Sequence, residues 1–232
     1  MNLITVGTGS EQGNCYLLEK DGKYLVLDCG CQWKQVMVAC DWKVLDIDFA
    51  VMTHRHGDHS RYAQDLIRNG ISVITNDDTS KAVSGALRIR PNKEFRASGW
   101  SVIPFRVPHT NTDSTDCENY AYMVSNGGER LLYMTDWMYC PYNLSSFHIN
   151  HFLIAINYTG DVLEGHVLKG HASLDTAVKF LETSMTDDCR SVTACHLSDR
   201  NSDENLIQTT LRDVCEEHVQ VNIARKGQVI EF

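Results

Sequence analysis

The sequence lacks several features that mark common classes of protein. Its N-terminus has no positively charged segment followed by an apolar one, and no apolar run approaches the ~20 residues that span a bilayer. The nine cysteines include no C-x-x-C pair and no framework spacing, which argues against a disulfide scaffold. Internal repeats and low-complexity linkers are also absent. These absences predict a soluble, cytoplasmic protein with no membrane segment, whose cysteines are reduced and mostly small core residues.

Basic charge is also scarce. The chain of 232 residues has 21 Lys and Arg against 30 Asp and Glu, which gives a net charge of −9. Proteins that hold long nucleic acid usually carry a basic stripe, and no dense basic cluster is present. We therefore expect no extensive surface for duplex nucleic acid. The charge favours a small anionic substrate or a nucleic-acid end.

The stretch from Thr53 to Ser60 places three imidazoles and a carboxylate within six positions, namely His54, His56, Asp58 and His59. These side chains suit a borderline divalent cation such as zinc. The apolar run before the stretch predicts a buried strand, and the amphipathic run after it predicts a helix. A single His is often a hydrogen-bonded core residue. Four potential ligands in six positions favour a metal site instead.

The rest of the chain predicts strands and helices in alternation, in two rough halves, which indicates an α/β protein. Asp21–Gly22 predicts a hairpin between two strands, and Lys226–Gly227 predicts another near the C-terminus. The glycines at 7, 9 and 13 lack a phosphate-loop pattern and predict a turn. Strands are expected at 3–6, 15–20, 23–27, 48–52, 71–75, 95–107 with a break, 119–125, 130–134, 152–156 and 191–195. Helices are expected at 31–41, 60–69, 77–87, from 174 onward, and at 202–217 with a cap at Asn201 or Ser202.

The pattern His-x-His-x-Asp-His resembles the signature of the metallo-β-lactamase superfamily of hydrolases. The resemblance implies a four-layer αββα sandwich, with two sheets between helices, formed by a single domain over residues 1–232. It also implies two divalent metal ions, with zinc as the prediction and manganese or nickel as alternatives. The implied ligands are His54, His56 and His109 for one ion, Asp58, His59 and His196 for the other, and Asp136 as the bridge.

Two further positions match the resemblance. Asp28, in an Asp-x-Gly after the first hairpin, corresponds to a residue that braces the metal loop; a simple Asp turn is the alternative. His171 precedes the final ligand by about 25 positions. An additional His there is similar to the phosphodiesterase branch, which includes tRNase Z and the small YycJ-like hydrolases.

In that branch the additional His donates a hydrogen bond or proton to the scissile phosphate or the leaving group. Asp58 and His171 are therefore the predicted catalytic residues. His166 is the rival to His171 if the register is shifted, and a helix cap is the alternative role for His171. Residues that flank the ligands are predicted to contact phosphate or base: Ser173, Ser198, Arg200 and Asn201.

Departures from tRNase Z argue against tRNA maturation as the function. Tyr133 stands where tRNase Z has a Glu that partners the catalytic His, and the intervals around Asp136 are too short for a tRNA-binding arm or an inserted nuclease domain. The chain is similar to YycJ-like exonucleases and to phage anti-Pycsar enzymes that hydrolyse cyclic nucleotides. The resemblance also favours a homodimer. The alternatives are a thioesterase or lactonase of glyoxalase II type, which would not need His171, and a non-catalytic metal-binding scaffold.

Overall fold

Two seven-stranded sheets run through the structure, a computed structural model that describes residues 1–160 and 170–232. His166 lies outside the described residues. The first sheet takes up the N-terminal strands, in the spatial order β14-β1-β2-β3-β4-β5-β6. Its strands in chain order are β1 (Asn2–Gly7), β2 (Cys15–Lys20), β3 (Lys23–Leu27), β4 (Ile47–Val51), β5 (Val73–Thr75) and β6 (Leu87–Arg88), with β14 (Val229–Glu231) from the C-terminus.

The second sheet has the order β13-β12-β11-β10-β9-β8-β7. Its strands are β7 (Phe95–Ala97), β8 (Trp100–Val107), β9 (Asn119–Asn126), β10 (Glu129–Met134), β11 (His151–Ala155), β12 (Ser191–Cys195) and β13 (Gln220–Ile223). The helices are α1 (Trp33–Ala39), α2 (Gly57–Ser60), α3 (Ala63–Arg68), α4 (Asp77–Ala82), α5 (Leu174–Ser184) and α6 (Glu204–Val214). Short 3₁₀ turns cover Val44–Asp46 and Ser145–Phe147. Within the described ranges, no helix has both the length and the apolar content to cross a membrane.

Alternation along the strands of the first sheet creates two separate apolar layers. In β2, Tyr16 and Leu18 join the large cluster that packs against the second sheet. Leu17 points to the other face and packs with Val36 of α1 and Leu66 of α3. Helices α5 and α6 bury their apolar faces against the second sheet. The order helix, sheet, sheet, helix confirms the predicted four-layer sandwich.

The direction of the strands brings several strand ends to one edge. Strands β3 to β6 are mutually parallel, and so are β10 to β13. Strand β8 runs in the same direction as β10 because each is antiparallel to β9. The carboxyl ends of parallel strands lie at one edge, where α/β proteins place ligands. The polar residues after β3, β4, β8, β10 and β12 therefore converge there.

Several local predictions need correction. The predicted C-terminal hairpin is wrong: β13 pairs parallel with β12, whereas β14 pairs antiparallel with β1. The chain turns at Lys226–Gly227, where the Gly227 amide donates to Thr5 in the first sheet. The predicted helix over 60–69 begins only at Ala63, as α3, and Gly57–Ser60 forms the separate helix α2. The two are separated because the Tyr62 amide donates to the Cys29 carbonyl rather than within a helix. Asp203, rather than either predicted residue, caps α6.

Candidate metal centre

The loop after β4 supplies four of the polar side chains at this edge. His54 is buried, and its Nδ1 lies 3.0 Å from the Thr53 hydroxyl. The short helix α2 begins directly after His56 and carries Asp58 and His59 on its first turn. The His59 Nδ1 lies 2.8 Å from the Asp28 carboxylate, which follows β3. The helical turn therefore directs Asp58 and His59 toward His54, which approaches from the end of β4.

Close backbone packing fixes the position of this loop. The amide of Asn14 donates to the Asp58 carbonyl at 2.6 Å, and the amide of Cys29 donates to the His59 carbonyl at 2.7 Å. A Cβ on Gly30 would lie 1.8 Å from the Asp58 carbonyl oxygen, so a side chain there would displace the loop. The glycines of the first loop and of Asp28-Cys29-Gly30 therefore serve close approach as well as turning.

The second sheet supplies three more side chains, each just after a strand. His109 follows β8, Asp136 follows β10 and His196 follows β12. Asp136 and His196 have φ of 51° and 50°, and Asp28 after β3 has 57°. Such left-handed backbone is sparsely populated by residues other than glycine and clusters at functional sites. It turns each side chain back toward the strand edge.

Together these side chains form two donor groups that share one carboxylate. The first donor group is His54, His56, His109 and Asp136, and the second donor group is Asp58, His59, Asp136 and His196. Within each group the potential ligand atoms all lie within 4.8 Å of one another. Among the residues that the structure describes, two buried atoms of these groups, His54 Nε2 and Asp136 Oδ1, have no hydrogen-bond partner. Imidazole nitrogens and carboxylate oxygens are ligands that zinc and related cations accept, so these residues are able to bind metal.

Other side chains and carbonyls orient the imidazoles from behind. The His109 Nδ1 donates to the Gly170 carbonyl at 2.7 Å, which leaves Nε2 for the group. Gly170 has φ +96°, and a Cβ there would lie 2.7 Å from the Thr110 hydroxyl. The His196 backbone amide donates to the Thr8 hydroxyl at 3.0 Å, and the Asn157 Nδ2 lies 2.9 Å from the His196 Nδ1. Such outer partners set which ring nitrogen faces a metal.

This chain is similar to known proteins in part of its sequence and in its fold. A family model described as the anti-Pycsar protein Apyc1 matches residues 1–62, and no protein with a curated description matches. YhfI of Bacillus subtilis, a metallo-β-lactamase fold protein, gives a TM-score of 0.78 at 15% identity over 99% of this chain and 98% of its own. The chain has the metallo-β-lactamase fold.

Two more solved structures share the metallo-β-lactamase fold with this chain. Igni18, a metallo hydrolase of the archaeon Ignicoccus hospitalis, gives a TM-score of 0.72 at 13% identity over 100% of this chain and 98% of its own. The short form of human tRNase Z gives 0.65 at 14% identity over 100% and 99%. Proteins of this fold thus include a metallo hydrolase, and this chain carries His and Asp groups able to bind metal.

The histidines of the site are of two kinds, one with a lowered pKa and one with a raised pKa. Burial lowers the pKa of His54 well below its ordinary value and that of His109 to about 4. These imidazoles are therefore neutral at pH 7, as metal ligation requires. Burial also opposes charge on His59, but the attraction of Asp58 and Asp136 outweighs it and raises the His59 pKa well above its ordinary value.

The two carboxylates stay ionised. Burial alone would raise the pKa of Asp58, but neighbouring imidazoles, His59 first, hold it far below its usual range. The pKa of Asp136 is likewise held well below its usual value against burial, chiefly by His196 and His59. Both carboxylates are therefore in the ionised form, whose oxygens can only accept and can bind a divalent cation.

A cavity of about 200 Å³ opens beside the second donor group. His171 lies in its wall, with 21% of the side chain exposed and Nδ1 3.3 Å from Asp136 Oδ1. Of the predicted substrate contacts, Ser198 and Arg200 also line the cavity, and Asn201 donates to the Ser198 hydroxyl at 3.0 Å. The Ser173 hydroxyl instead accepts from the Thr176 amide and caps α5.

The structure brings all seven predicted ligands together, with Asp28 behind His59 and His171 beside Asp136. Sequence reasoning missed the polar residues that hold them: Thr8, Asn14, Thr53, Asn111 and Asn157. It also missed Ser10 and Glu11, which line the cavity. The Gly-rich loop before β2 was the one local signal for Asn14, Ser10 and Glu11. Trp137, which directly follows Asp136 in the chain, is buried and packs on Phe180.

Proposed function

We propose that this protein is a two-metal phosphodiesterase that cleaves nucleotide substrates, either cyclic nucleotides or nucleic-acid ends. The observation that carries the proposal is the position of His171. Its ring centroid lies 5.3 Å from that of His109 and 6.0 Å from that of His196, so it stands beside both donor groups and belongs to neither. A thioester hydrolase releases a thiolate and has no need of an imidazole at this point, whereas phosphodiester cleavage releases an alkoxide that has to be protonated.

The two donor groups would hold two divalent cations, which we propose to be zinc, with manganese or nickel as alternatives. When bound, such a pair supplies a water of lowered pKa and positive charge for the phosphate oxygens. Asp136 belongs to both groups, with Oδ2 3.3 Å from His54 Nε2 and Oδ1 3.2 Å from His196 Nε2. Oδ2 also lies 3.0 Å from His59 Nε2 of the second group, so the carboxylate reaches both groups, which suits a bridging ligand.

The roles of the two predicted catalytic residues differ. Asp58 Oδ2 lies 3.2 Å from His196 Nε2 and 3.3 Å from the side-chain nitrogen Nδ2 of Asn14. Because the pKa of Asp58 is held far below its usual range, this carboxylate orients and binds rather than stores a proton. His171 is partly exposed to the cavity. It donates a hydrogen bond to the phosphate or a proton to the leaving oxygen.

The cavity supports a small substrate. Its volume of about 200 Å³ and its lining of Ser10, Ser198 and Arg200 offer hydroxyls and one guanidinium to a phosphate group. Glu11 and Asp199 in the same wall and the net charge of −9 repel the further phosphates of a polymer. A single nucleotide or the terminal nucleotide of a strand meets both conditions.

The comparisons also support this substrate class. The matched residues 1–62 hold the first four of the seven ligands, and the family model is that of the anti-Pycsar protein Apyc1, the group to which the sequence is similar. Human tRNase Z, a nuclease by its name, shares the fold over the whole chain. Both point toward phosphodiester bonds in nucleotides.

The test is turnover by metal-loaded protein of 3′,5′-cyclic nucleotides and of 5′-labelled single-stranded oligonucleotides. We expect hydrolysis of at least one of them. His56→Ala should abolish turnover through metal loss. His171→Ala should lower kcat by about 10²–10⁴-fold while the metal content stays at the wild-type value.

His148→Ala is the matched control, because His148 is an exposed histidine that pairs with Asp188 away from the cavity. It should leave kcat unchanged. Wild-type turnover by His171→Ala would remove the proposed role of this imidazole. Hydrolysis of thioesters alone, by both the wild type and His171→Ala, would contradict the phosphodiesterase proposal.

We also propose that the chain forms one domain, acts in the cytoplasm and associates as a homodimer. Ligands from both halves of the chain meet in the same two donor groups, which supports a single domain. Light scattering measures the association directly, since a homodimer has twice the chain mass of 26.2 kDa.

A further inference from the structure

His56 presents a different ring nitrogen from its neighbours. His109 and His59 each use Nδ1 for an outer partner and turn Nε2 toward the donor groups. For His56 the arrangement is reversed. Its Nδ1 lies 3.2 Å from His109 Nε2, whereas its Nε2 lies 3.0 Å from the side-chain oxygen of Asn111. Nδ1 is therefore the nitrogen on the metal side.

The orientation of the Asn111 amide follows from its other partners. The Arg55 Nη2 donates to Asn111 Oδ1 at 3.1 Å, and a guanidinium can only donate. On the other side, Asn111 Nδ2 donates to the Thr115 hydroxyl at 2.9 Å and the Asp116 carbonyl at 3.1 Å. The atom that faces His56 is thus an oxygen, and His56 Nε2 has to carry the hydrogen. The lone pair is then on Nδ1.

His56 needs such support more than the other ligands of the first donor group. His54 and His109 are buried, but His56 is only half-buried. Packing therefore restricts its ring less. Arg55 is itself held in place, because its Nε donates to the Asp78 carboxylate at 2.7 Å.

We propose that Asn111 is a positioning residue for the metal ion of the first donor group: held by Arg55, it fixes His56 as the Nε2–H tautomer with Nδ1 toward the metal. The inference rests on the metal centre of the proposed function. It adds that the loop containing Asn111, which follows His109 in the chain, controls the affinity of one of the two ions.

Asn111→Leu removes the acceptor without adding a charge. We expect one of the two ions to bind about 10–100-fold more weakly, measured by competition with a chromophoric chelator. In the metal-free protein, ¹⁵N chemical shifts of the His56 ring should show that the Nε2–H tautomer no longer dominates. Asn111→Asp keeps an acceptor for His56 and Arg55, and should retain the wild-type tautomer and bind both ions at least as tightly.

Arg55→Gln is a second variant that spares the fold, because 40% of the Arg55 side chain is exposed. This variant should weaken the binding of the same ion by a smaller factor. Asn143→Leu is the matched control, since the Asn143 side-chain oxygen accepts from Ser145 in an exposed loop away from the ligands. It should bind both ions as the wild type does.

Wild-type affinity and tautomer in Asn111→Leu, alongside two bound ions in the wild type, would overturn the inference and leave the proposed function standing. A wild-type protein that binds no ion would overturn the proposed function and the inference with it. The metal titration of the wild type distinguishes the two results.

Discussion

At the scale of single residues, the Asp28 carboxylate is the clearest case of a side chain that acts through its neighbours. It accepts hydrogen bonds from the Thr53 amide and hydroxyl, from His59 Nδ1 and from the Tyr133 hydroxyl at 2.7 Å. These four donors fix the carboxylate behind His59. Tyr133 therefore braces Asp28, and its hydroxyl bonds this carboxylate rather than His171.

Tyr133→Phe tests this role, because it removes one hydrogen bond and keeps the buried ring. Asp28 loses a donor while His59 stays in place. Since outer partners of metal ligands contribute 10–100-fold to affinity, we expect a loss of about 10-fold for one ion. Competition with a chelator measures it. Tyr120→Phe, at a tyrosine whose hydroxyl bonds Glu118 instead, should bind as the wild type does. Equal affinities in both variants would contradict the bracing role.

The role of a single residue can be predicted from the sequence only where a local pattern indicates its chemistry. The ligands follow apolar runs directly, so a strand end and a metal-binding side chain coincide at His109, Asp136 and His196. Three other residues act through contacts with distant positions. The partner lies 44 positions away for Asn14, 55 for Asn111 and 105 for Tyr133. No spacing within the sequence encodes such contacts.

At the scale of elements, β11 begins with a buried histidine that lies away from the metal centre. His151 is fully buried and pairs in register with Ser191 of β12, whose hydroxyl lies 2.9 Å from His151 Nδ1. Its ring stacks on Phe232 with centroids 3.9 Å apart. Burial lowers the pKa of His151 to about 4, with Arg190 adding to the effect and Glu129 opposing it.

Because the folded pKa is below the unfolded value of 6.5, protonation favours the unfolded chain. The stabilisation is present above pH 6.5 and is lost as the pH falls toward 4. The lost free energy of unfolding amounts to about 3 kcal/mol, at ~1.4 kcal/mol per pKa unit. Urea unfolding of metal-free wild type and His151→Gln between pH 7 and pH 4 should show a smaller loss in the variant. His148→Gln, at an exposed histidine, should lose as much as the wild type, and equal losses in all three proteins would refute the prediction.

The type of each element, helix or strand, was predictable where the hydrophobic periodicity was strong. The pairing of the strands was not predictable. Strand β12 and the hairpin of β2 and β3 lie where the apolar runs and Asp21–Gly22 place them. The turn at Lys226–Gly227 was also found, but its flanking strands belong to different sheets. A turn signal reports the local reversal of the chain. It does not report which neighbour offers each strand a ladder of hydrogen bonds.

At the scale of the whole molecule, the two donor groups connect the two sheets. Four ligands stand in the loop after β4 of the first sheet, and three follow strands of the second sheet. The two halves of the chain also share the large apolar cluster between the sheets. The sequence alone indicated alternating strands and helices and the ligands in the loop after β4. The four layers and the three ligands of the second sheet followed from the resemblance to the metallo-β-lactamase superfamily. Their meeting at one edge depends on how the sheets face each other, which no local pattern records.

Metal removal should therefore destabilise the entire fold. Ions that bind the folded chain and not the unfolded one add about 2.7 kcal/mol at a free concentration of 100 times Kd. For a domain of this length, that corresponds to a Tm about 5–10 °C lower after removal, measured by calorimetry with and without chelator. His196→Ala removes a ligand that the second sheet contributes and should lose most of this shift, whereas His148→Ala should keep it. A Tm that does not move, in protein shown to bind two ions, would mean that the unfolded chain binds the ions as tightly as the folded one, and it would contradict a site that the two sheets assemble.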